Sequence, residues 1–277
     1  MNLADASRPP RIAVALIALA ALIMLTPMLW VLILSFKDNT ALMADTRAAF
    51  LPPWTFANYR SILGEGQVFT WLMNSVIVSL AMTAGVLLLS SLAGYGFARL
   101  EFPGRRLLFA IVLLGLAIPE QAVIIGRHQM FSAVSLHNTY TALVLPGLSM
   151  PFGVFLMTQY FRAIPKEIDE AALLDGASRL RIFWRILLPL TIPAQATLGI
   201  FTFFHAWNDY WWPLISATNK DMLTLTVGIA ATQMNFAQTE GLGFLMAQAV
   251  FAGVPTLLVY LVFQKYVVRA VAGAAGQ

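Results

Sequence analysis

The sequence predicts an all-α integral membrane protein of six transmembrane helices, with a short cytoplasmic helix between the fourth and fifth. Three observations predict it. Of the 277 residues, 59% are hydrophobic and only 11% charged, whereas charged residues make up about 25% of a soluble domain. Six apolar stretches are each long enough to cross a hydrocarbon core of about 30 Å, which takes about 20 helical residues. Lys and Arg are also divided unevenly between the segments that alternate around those stretches.

The first span is placed at Ile12 to Phe36. Its apolar run is too long for a signal-peptide h-region and no small-residue cleavage site ends it, so it reads as a span rather than a cleaved leader. The remaining spans are placed at Trp71 to Phe97, Leu107 to Ile125, Thr139 to Phe161, Ile186 to Trp212 and Phe244 to Tyr266. Trp30, Trp54, Trp71, Trp184, Trp211 and Trp212 fall near span ends, as interfacial aromatic belts do. With no repeat, low-complexity tract or hydrophilic linker to divide it, the chain reads as one transmembrane domain over 1–277.

Basic residues stay on the cytoplasmic side of a bilayer. One set of segments carries twelve: Arg8, Arg11, Arg99, Arg105, Arg106, Arg162, Lys166, Arg179, Arg181, Arg185, Lys265 and Arg269. The other carries five, Lys37, Arg47, Arg60, Arg127 and Lys220, which completes the 17 Lys and Arg. Both termini and the segment 162–185 are therefore expected in the cytoplasm. The formal charge of +4 follows from this asymmetry and offers no basic soluble patch for nucleic acid.

Segment 162–185 is the most informative part of the chain. Pro165 suits the first turn of a helix, and Glu167, Asp169 and Glu170 place negative charge at its positive dipole end. Gly176 can end that helix in a left-handed conformation, and Ser178 is a candidate N-cap for a second one. In the second helix Leu180, Phe183, Trp184 and Leu187 form an apolar stripe with Arg179, Arg181 and Arg185 off it, as in a helix lying at a membrane surface. A short helix carrying small Ala171 and Ala172 outside the bilayer can enter a partner's cleft, because nothing bulky keeps the backbones apart.

Signals of catalysis are few. The absence of cysteine excludes disulfides, thiol catalysis and cysteine metal sites, and no metal or cofactor site is expected on this chain. No phosphate-cradling Gly-x-x-x-x-Gly-Lys-Ser/Thr loop occurs, so any ATP hydrolysis must reside on another chain. Gly94-Tyr95-Gly96 lacks the third glycine of a dinucleotide site and is better suited to close helix packing. Charged residues inside a membrane are functional candidates by default, and two acids qualify, Glu120 and Asp209. Glu120 follows Pro119 near the outer end of span three, where a pathway role competes with a structural one. Asn208 and Asp209, in Asn208-Asp209-Tyr210-Trp211-Trp212-Pro213, suit either a polar pathway or interfacial anchoring. His205 has no partner identifiable from sequence and reads as a packing residue. Asn74 fits helix-to-helix hydrogen bonding or a solute contact.

Glu170-Ala171-Ala172, the following Asp175-Gly176, and Leu188-Pro189 downstream resemble, at matching spacing, the Glu-Ala-Ala loop of permease subunits in binding-protein-dependent ABC importers. The likeness extends along nearly the whole chain. Pro27 through Phe36 with Lys37, Trp54-Thr55-Phe56-Ala57-Asn58-Tyr59, Asn74-Ser75, Gly94-Tyr95-Gly96-Phe97-Ala98-Arg99, Phe102-Pro103-Gly104-Arg105 and Trp207-Asn208-Asp209-Tyr210 are similar to carbohydrate-class permeases of the maltose-transporter type. Ile125-Gly126-Arg127-His128 departs from them, standing where many members have an Ile-Pro-like turn.

The resemblance implies a multi-pass subunit of a bacterial or archaeal inner membrane importer. Its partners would be a second permease, two ATP-binding cassette ATPase subunits that carry the ATP and Mg, and an external solute-binding protein. Glu170, Ala171, Ala172, Asp175 and Gly176 would carry ATPase coupling, and the solute would be a sugar, polyol or glycerol phosphate. Related permeases extend an outer loop like that from Ile215 to Gly243 toward the binding protein, which makes Gln233, Asn235 and Gln238 candidate contacts. Two other classes stay open from the residues themselves. A secondary transporter would show inverted repeats, buried charge pairs or broken spans in matching halves, and a membrane enzyme would show a convergent catalytic set.

Overall fold

The computed structural model describes residues 11–38, 42, 49–64, 66–236 and 241–275. Fourteen α-helices occur among them and no strand. They are α1 (Arg11–Ser35), α2 (Ala57–Gly64), α3 (Gly66–Arg99), α4 (Arg105–Leu114), α5 (Glu120–Ala133), α6 (Tyr140–Val144) and α7 (Pro151–Ala163), followed by α8 (Glu167–Leu174), α9 (Arg179–Ile182), α10 (Leu188–Leu190), α11 (Ile192–Asn208), α12 (Trp211–Ser216), α13 (Leu225–Phe236) and α14 (Gly241–Ala275). The chain divides into two compact units, one of residues 1–65 and 231–254, the other of residues 66–230 and 255–277.

In the smaller unit the end of α1 is tied to the segment that follows it. Lys37 is 1% exposed. Its ammonium donates to the Leu51 carbonyl and, at 3.5 Å, to that of Pro53, and it stands 3.6 Å from the centre of the Trp54 ring. Asn58 on α2 donates to the carbonyls of Ser35 and Lys37, both at 2.9 Å. Gly243 meets the same turn so closely that a Cβ there would run into the Lys37 carbonyl. Every donor of a buried cation is thus directed to an acceptor, the condition under which burying it is tolerable.

The larger unit is built on α3, which packs mainly against α7 and α11. Its inward side carries small residues, Ser75, Ser79, Ser90 and Gly94 among them, and small residues allow helix backbones to approach in the absence of any hydrophobic driving force from lipid. The approach is closest against α7. A Cβ on Gly153 would overlap Ser90 Oγ, and a Cβ on Gly94 would lie 2.7 Å from Met157 Cβ and 2.9 Å from the Thr158 nitrogen.

Three helices among the described residues are long and apolar enough to cross a bilayer, Ile12–Ser35, Gly66–Arg99 and Gly241–Gln264. They overlap the stretches expected at Ile12 to Phe36, Trp71 to Phe97 and Phe244 to Tyr266. The other three stretches are bent pairs rather than single rods: Arg105–Ala117 with Glu120–Ala133 at 102°, Tyr140–Leu148 with Pro151–Ala163 at 47°, and Arg179–Leu190 with Ile192–Asn208 at 77°. Proline accounts for the breaks. Ile118 and Met150, each just before a proline, are extended at φ −87°, ψ 114° and φ −115°, ψ 92°, as the following ring demands. At the third bend Pro193 supplies no N–H, and the Leu188 carbonyl ahead of it takes the Thr191 hydroxyl and the Gln195 amide, each at 2.8 Å, so side chains beyond the bend tie back to the helix before it.

Replacing Lys37 by Met should lower stability by about 2 kcal/mol, because it removes a cation–π contact and leaves two carbonyls without their donor. A thermal melt of the detergent-solubilised chain checks this, and an unchanged midpoint would contradict the latch.

Candidate functional site

α8 and its flanks are shaped by the residues singled out in the sequence. Lys166 is already in helical conformation, at φ −69° and ψ −25°, and its carbonyl accepts from the Glu170 N–H at 3.1 Å. Pro165 therefore stands just ahead of the helix rather than inside its first turn. Glu167, Asp169 and Glu170 do occupy that turn. At the other end Gly176 has φ +76°. Its N–H reaches the Leu173 carbonyl at 3.0 Å and that of Ala177 reaches Ala172 at 3.0 Å, the two bonds of a Schellman cap. The Ser178 hydroxyl accepts from the Arg181 N–H at 3.3 Å and caps α9.

Ala172 is buried, while Glu170, Ala171, Asp175 and Gly176 are exposed and Leu174 is 89% exposed. Of the apolar residues on the next helix, Ile182, Phe183 and Leu187 are buried within the chain, whereas Leu180 and Trp184 are exposed. Residues 183–187 form a π-helical turn.

What holds α8 is the C-terminal end of α3. Arg99, whose side chain is 4% exposed, places Nε 3.1 Å from the Asp169 carboxylate and donates through Nη2 to the Ile164 carbonyl at 2.6 Å. One turn earlier the Tyr95 hydroxyl donates to the Arg179 carbonyl at 3.2 Å, and its ring packs at 5.9 Å from Phe161 and 5.1 Å from Phe183. A single helix end thus grips the segment before α8, α8 itself, and the segment after it. Sequence reasoning placed Arg99 in the basic set, Tyr95 in a glycine motif and both in a segment similar to carbohydrate-class permeases, without pairing them. Their i, i+4 spacing at a span end was the signal that could have paired them.

A second group lies at the first two bends. A cavity of about 450 Å³ is lined by residues of both breaks, among them Ile118, Glu120, Ser149 and Met150, together with Arg127 and His205. Arg127 Nη1 donates to Glu120 Oε1 at 3.1 Å, His205 Nε2 is 3.6 Å from Glu120 Oε2, and the Arg127 guanidinium lies 5.1 Å from the centre of the Trp212 ring. His205, which had no partner in the sequence, has one 85 positions away. Arg127 is two helical turns from Glu120 on α5, so periodicity could have joined that pair.

The remaining candidates are spread out. Asn74 is 2% exposed, and its amide is engaged within the chain: it donates to the carbonyls of Asp221 at 2.8 Å and Leu223 at 2.9 Å, and accepts from the Tyr140 hydroxyl at 2.7 Å. Asn208 is exposed and donates to the Phe204 carbonyl at 2.8 Å. Asp209 accepts from the Trp212 N–H at 3.4 Å at the start of α12. Gln233, Asn235 and Gln238 lie outside the residues whose side chains are described.

Residues 86–273 match the model of the binding-protein-dependent transport system inner membrane component family. The chain belongs to that family. It is 36% identical over 266 residues, 95% of this chain and 86% of the relative, to the diacetylchitobiose uptake system permease of Streptomyces coelicolor. It is 32% identical over 262 residues, 93% of each chain, to the trehalose/maltose transport system permease of Thermococcus litoralis. The fold is similar to a chain of a bacterial ABC transporter involved in the import of the acidic polysaccharide alginate, with a TM-score of 0.81 at 23% identity over 92% of this chain and 95% of that one.

Breaking the Arg99 and Asp169 pair should loosen α8 without unfolding the bundle, since removing one partner of a buried pair costs about 3 kcal/mol or more. Tryptic cleavage at Lys166 and Arg179 in the detergent-solubilised chain should rise at least about tenfold in Arg99→Glu and in Asp169→Arg, as local opening becomes more frequent. The double exchange should recover part of the protection. Single variants cleaved at the wild-type rate would show that the pair does not hold the helix.

Proposed function

We propose that this chain is a permease subunit of an ATP-driven importer that moves a sugar or a related polar solute from an external binding protein across the inner membrane. Membership of the binding-protein-dependent transport family and the curated relatives, which are sugar permeases, support the reading. The observation that carries it in this molecule is α8. Its C-terminal cap is complete and its inner side is fastened by Arg99 and Tyr95, while Glu170, Ala171, Leu174 and Asp175 stand clear. A helix fixed on one side and free on the other is built to be pushed.

In this reading the whole chain, 1–277, works as one transmembrane domain with six spans, three of them bent, and both ends in the cytoplasm. Glu170, Ala171, Ala172, Asp175 and Gly176 form the face that meets an ATPase subunit. Two ATPase subunits hold ATP and Mg, and a second permease completes the pathway. The chain itself performs no catalysis and holds no cofactor. Glu120, Asn208 and Asp209 lie beside the pathway, Asn74 braces it, and Gln233, Asn235 and Gln238 meet the binding protein.

Two experiments test this. Because the chain has no cysteine, single cysteines report sidedness directly: Ser178→Cys should be protected from an impermeant external reagent and Asn219→Cys should be labelled, and the reverse pattern would overturn the orientation. Gly176→Val forces a β-branched residue into positive φ and should leave insertion intact while reducing uptake of the transported sugar at least about tenfold. Wild-type uptake by an inserted and assembled variant would remove the coupling role of α8.

A further inference from the structure

We infer that this chain touches the solute itself, through a subsite formed by Glu120, Arg127 and His205 that takes a neutral, polyhydroxylated molecule. The inference rests on the importer reading above and adds to it a site on this subunit and a charge class for what passes. Three observations carry it.

The first is where the trio stands. It lines one cavity with the broken ends of two helices, at Ile118 and at Ser149–Met150. Non-helical backbone at membrane depth is tolerated where it is buried or faces a polar cavity, and broken spans are where transport proteins place their binding sites. At about 450 Å³ the space is within the range of small-molecule sites.

The second is charge. Glu120 and Arg127 lie 3.1 Å apart and neutralise one another, so an anion or a cation entering would meet the like charge as closely as the opposite one. A sugar hydroxyl has no such conflict, since it donates and accepts at once.

The third is unspent bonding capacity. A carboxylate offers about four acceptor sites and a guanidinium five N–H donors, and the single Arg127 to Glu120 hydrogen bond uses one of each. Glu120 is 42% and His205 51% exposed, so polar capacity faces the cavity. Phe152, Leu116 and Ile118 supply apolar wall against which the C–H face of a sugar can lie.

A purely structural lock between α5 and α11 would share these distances, and the test separates the two. The assembled importer is reconstituted with its binding protein, carrying Ser149→Cys or Val123→Cys on the cavity wall or Asn219→Cys as a control. Labelling of this chain by a charged methanethiosulfonate is followed by mass during turnover. The probes are maltose, trehalose, diacetylchitobiose and a digalacturonate. The neutral sugar that is imported should slow labelling at 149 and 123 at least about fivefold and leave 219 unchanged. Glu120→Gln should abolish that protection and raise the KM for uptake at least about tenfold. Continued import with labelling at both wall positions unaffected would overturn the subsite, and protection by digalacturonate alone would overturn its neutral class. Import of none of the four would instead overturn the sugar reading beneath it.

Discussion

The architecture of the larger unit depends on how closely α3 and α7 cross. Ser90 against Gly153 and Gly94 against Met157 and Thr158 bring the two backbones to a separation that no larger side chain would permit. In a bilayer such contact cannot come from hydrophobic burial, because lipid tails are as apolar as leucine, and it has to come from close packing. Both positions are spaced four apart on their helices, so one turn of each meets one turn of the other. The C-terminal end of α3 is thereby fixed against α7, beside the residues that grip α8.

From this crossing α3 reaches three functional regions. At its C-terminal end Arg99 and Tyr95 hold the segments on both sides of α8. Midway, Met82 joins the wall of the cavity that contains Glu120, Arg127 and His205. At its N-terminal end Trp71 donates to the Lys220 carbonyl at 2.8 Å, Asn74 to those of Asp221 and Leu223, and Ser75 accepts from the Leu225 N–H at 2.8 Å. One continuous helix therefore touches the proposed ATPase contact, the proposed solute contact and the segment leading into α13. That is the physical means by which an event at one face can bias the other, provided the two conformations bind ATP or solute with different free energies.

Much of this was legible in the sequence, for reasons that can be named. α1, α3 and α14 are each long and apolar enough in a single helix to cross a bilayer, so length and composition suffice to find them. The caps of α8 and α9 were also readable, because Gly176 and Ser178 act through their own backbone and side chain rather than through distant partners. The bends were not, although Pro119, Pro151 and Pro193 marked them. A hydropathy window registers composition and has no access to direction, and in a membrane neighbouring groups can rescue a proline so that it need not break a span. Pairings across the chain were hidden for a different reason. His205 finds Glu120, and Arg99 finds Asp169, only once the helices are assembled.

The central claim is that α8 moves with α3 and not independently of it. Spin labels at Leu92 and Glu167, both exposed, measured by pulsed dipolar spectroscopy in the assembled importer with and without ATP, test it most directly. The account predicts one narrow distance distribution that shifts by less than about 2 Å between the two conditions, within the span of side-chain and backbone fluctuation. A change of about 5 Å or more, the rise of one helical turn, or two populations exchanged by ATP, would show that α8 swings free of α3 and would contradict it.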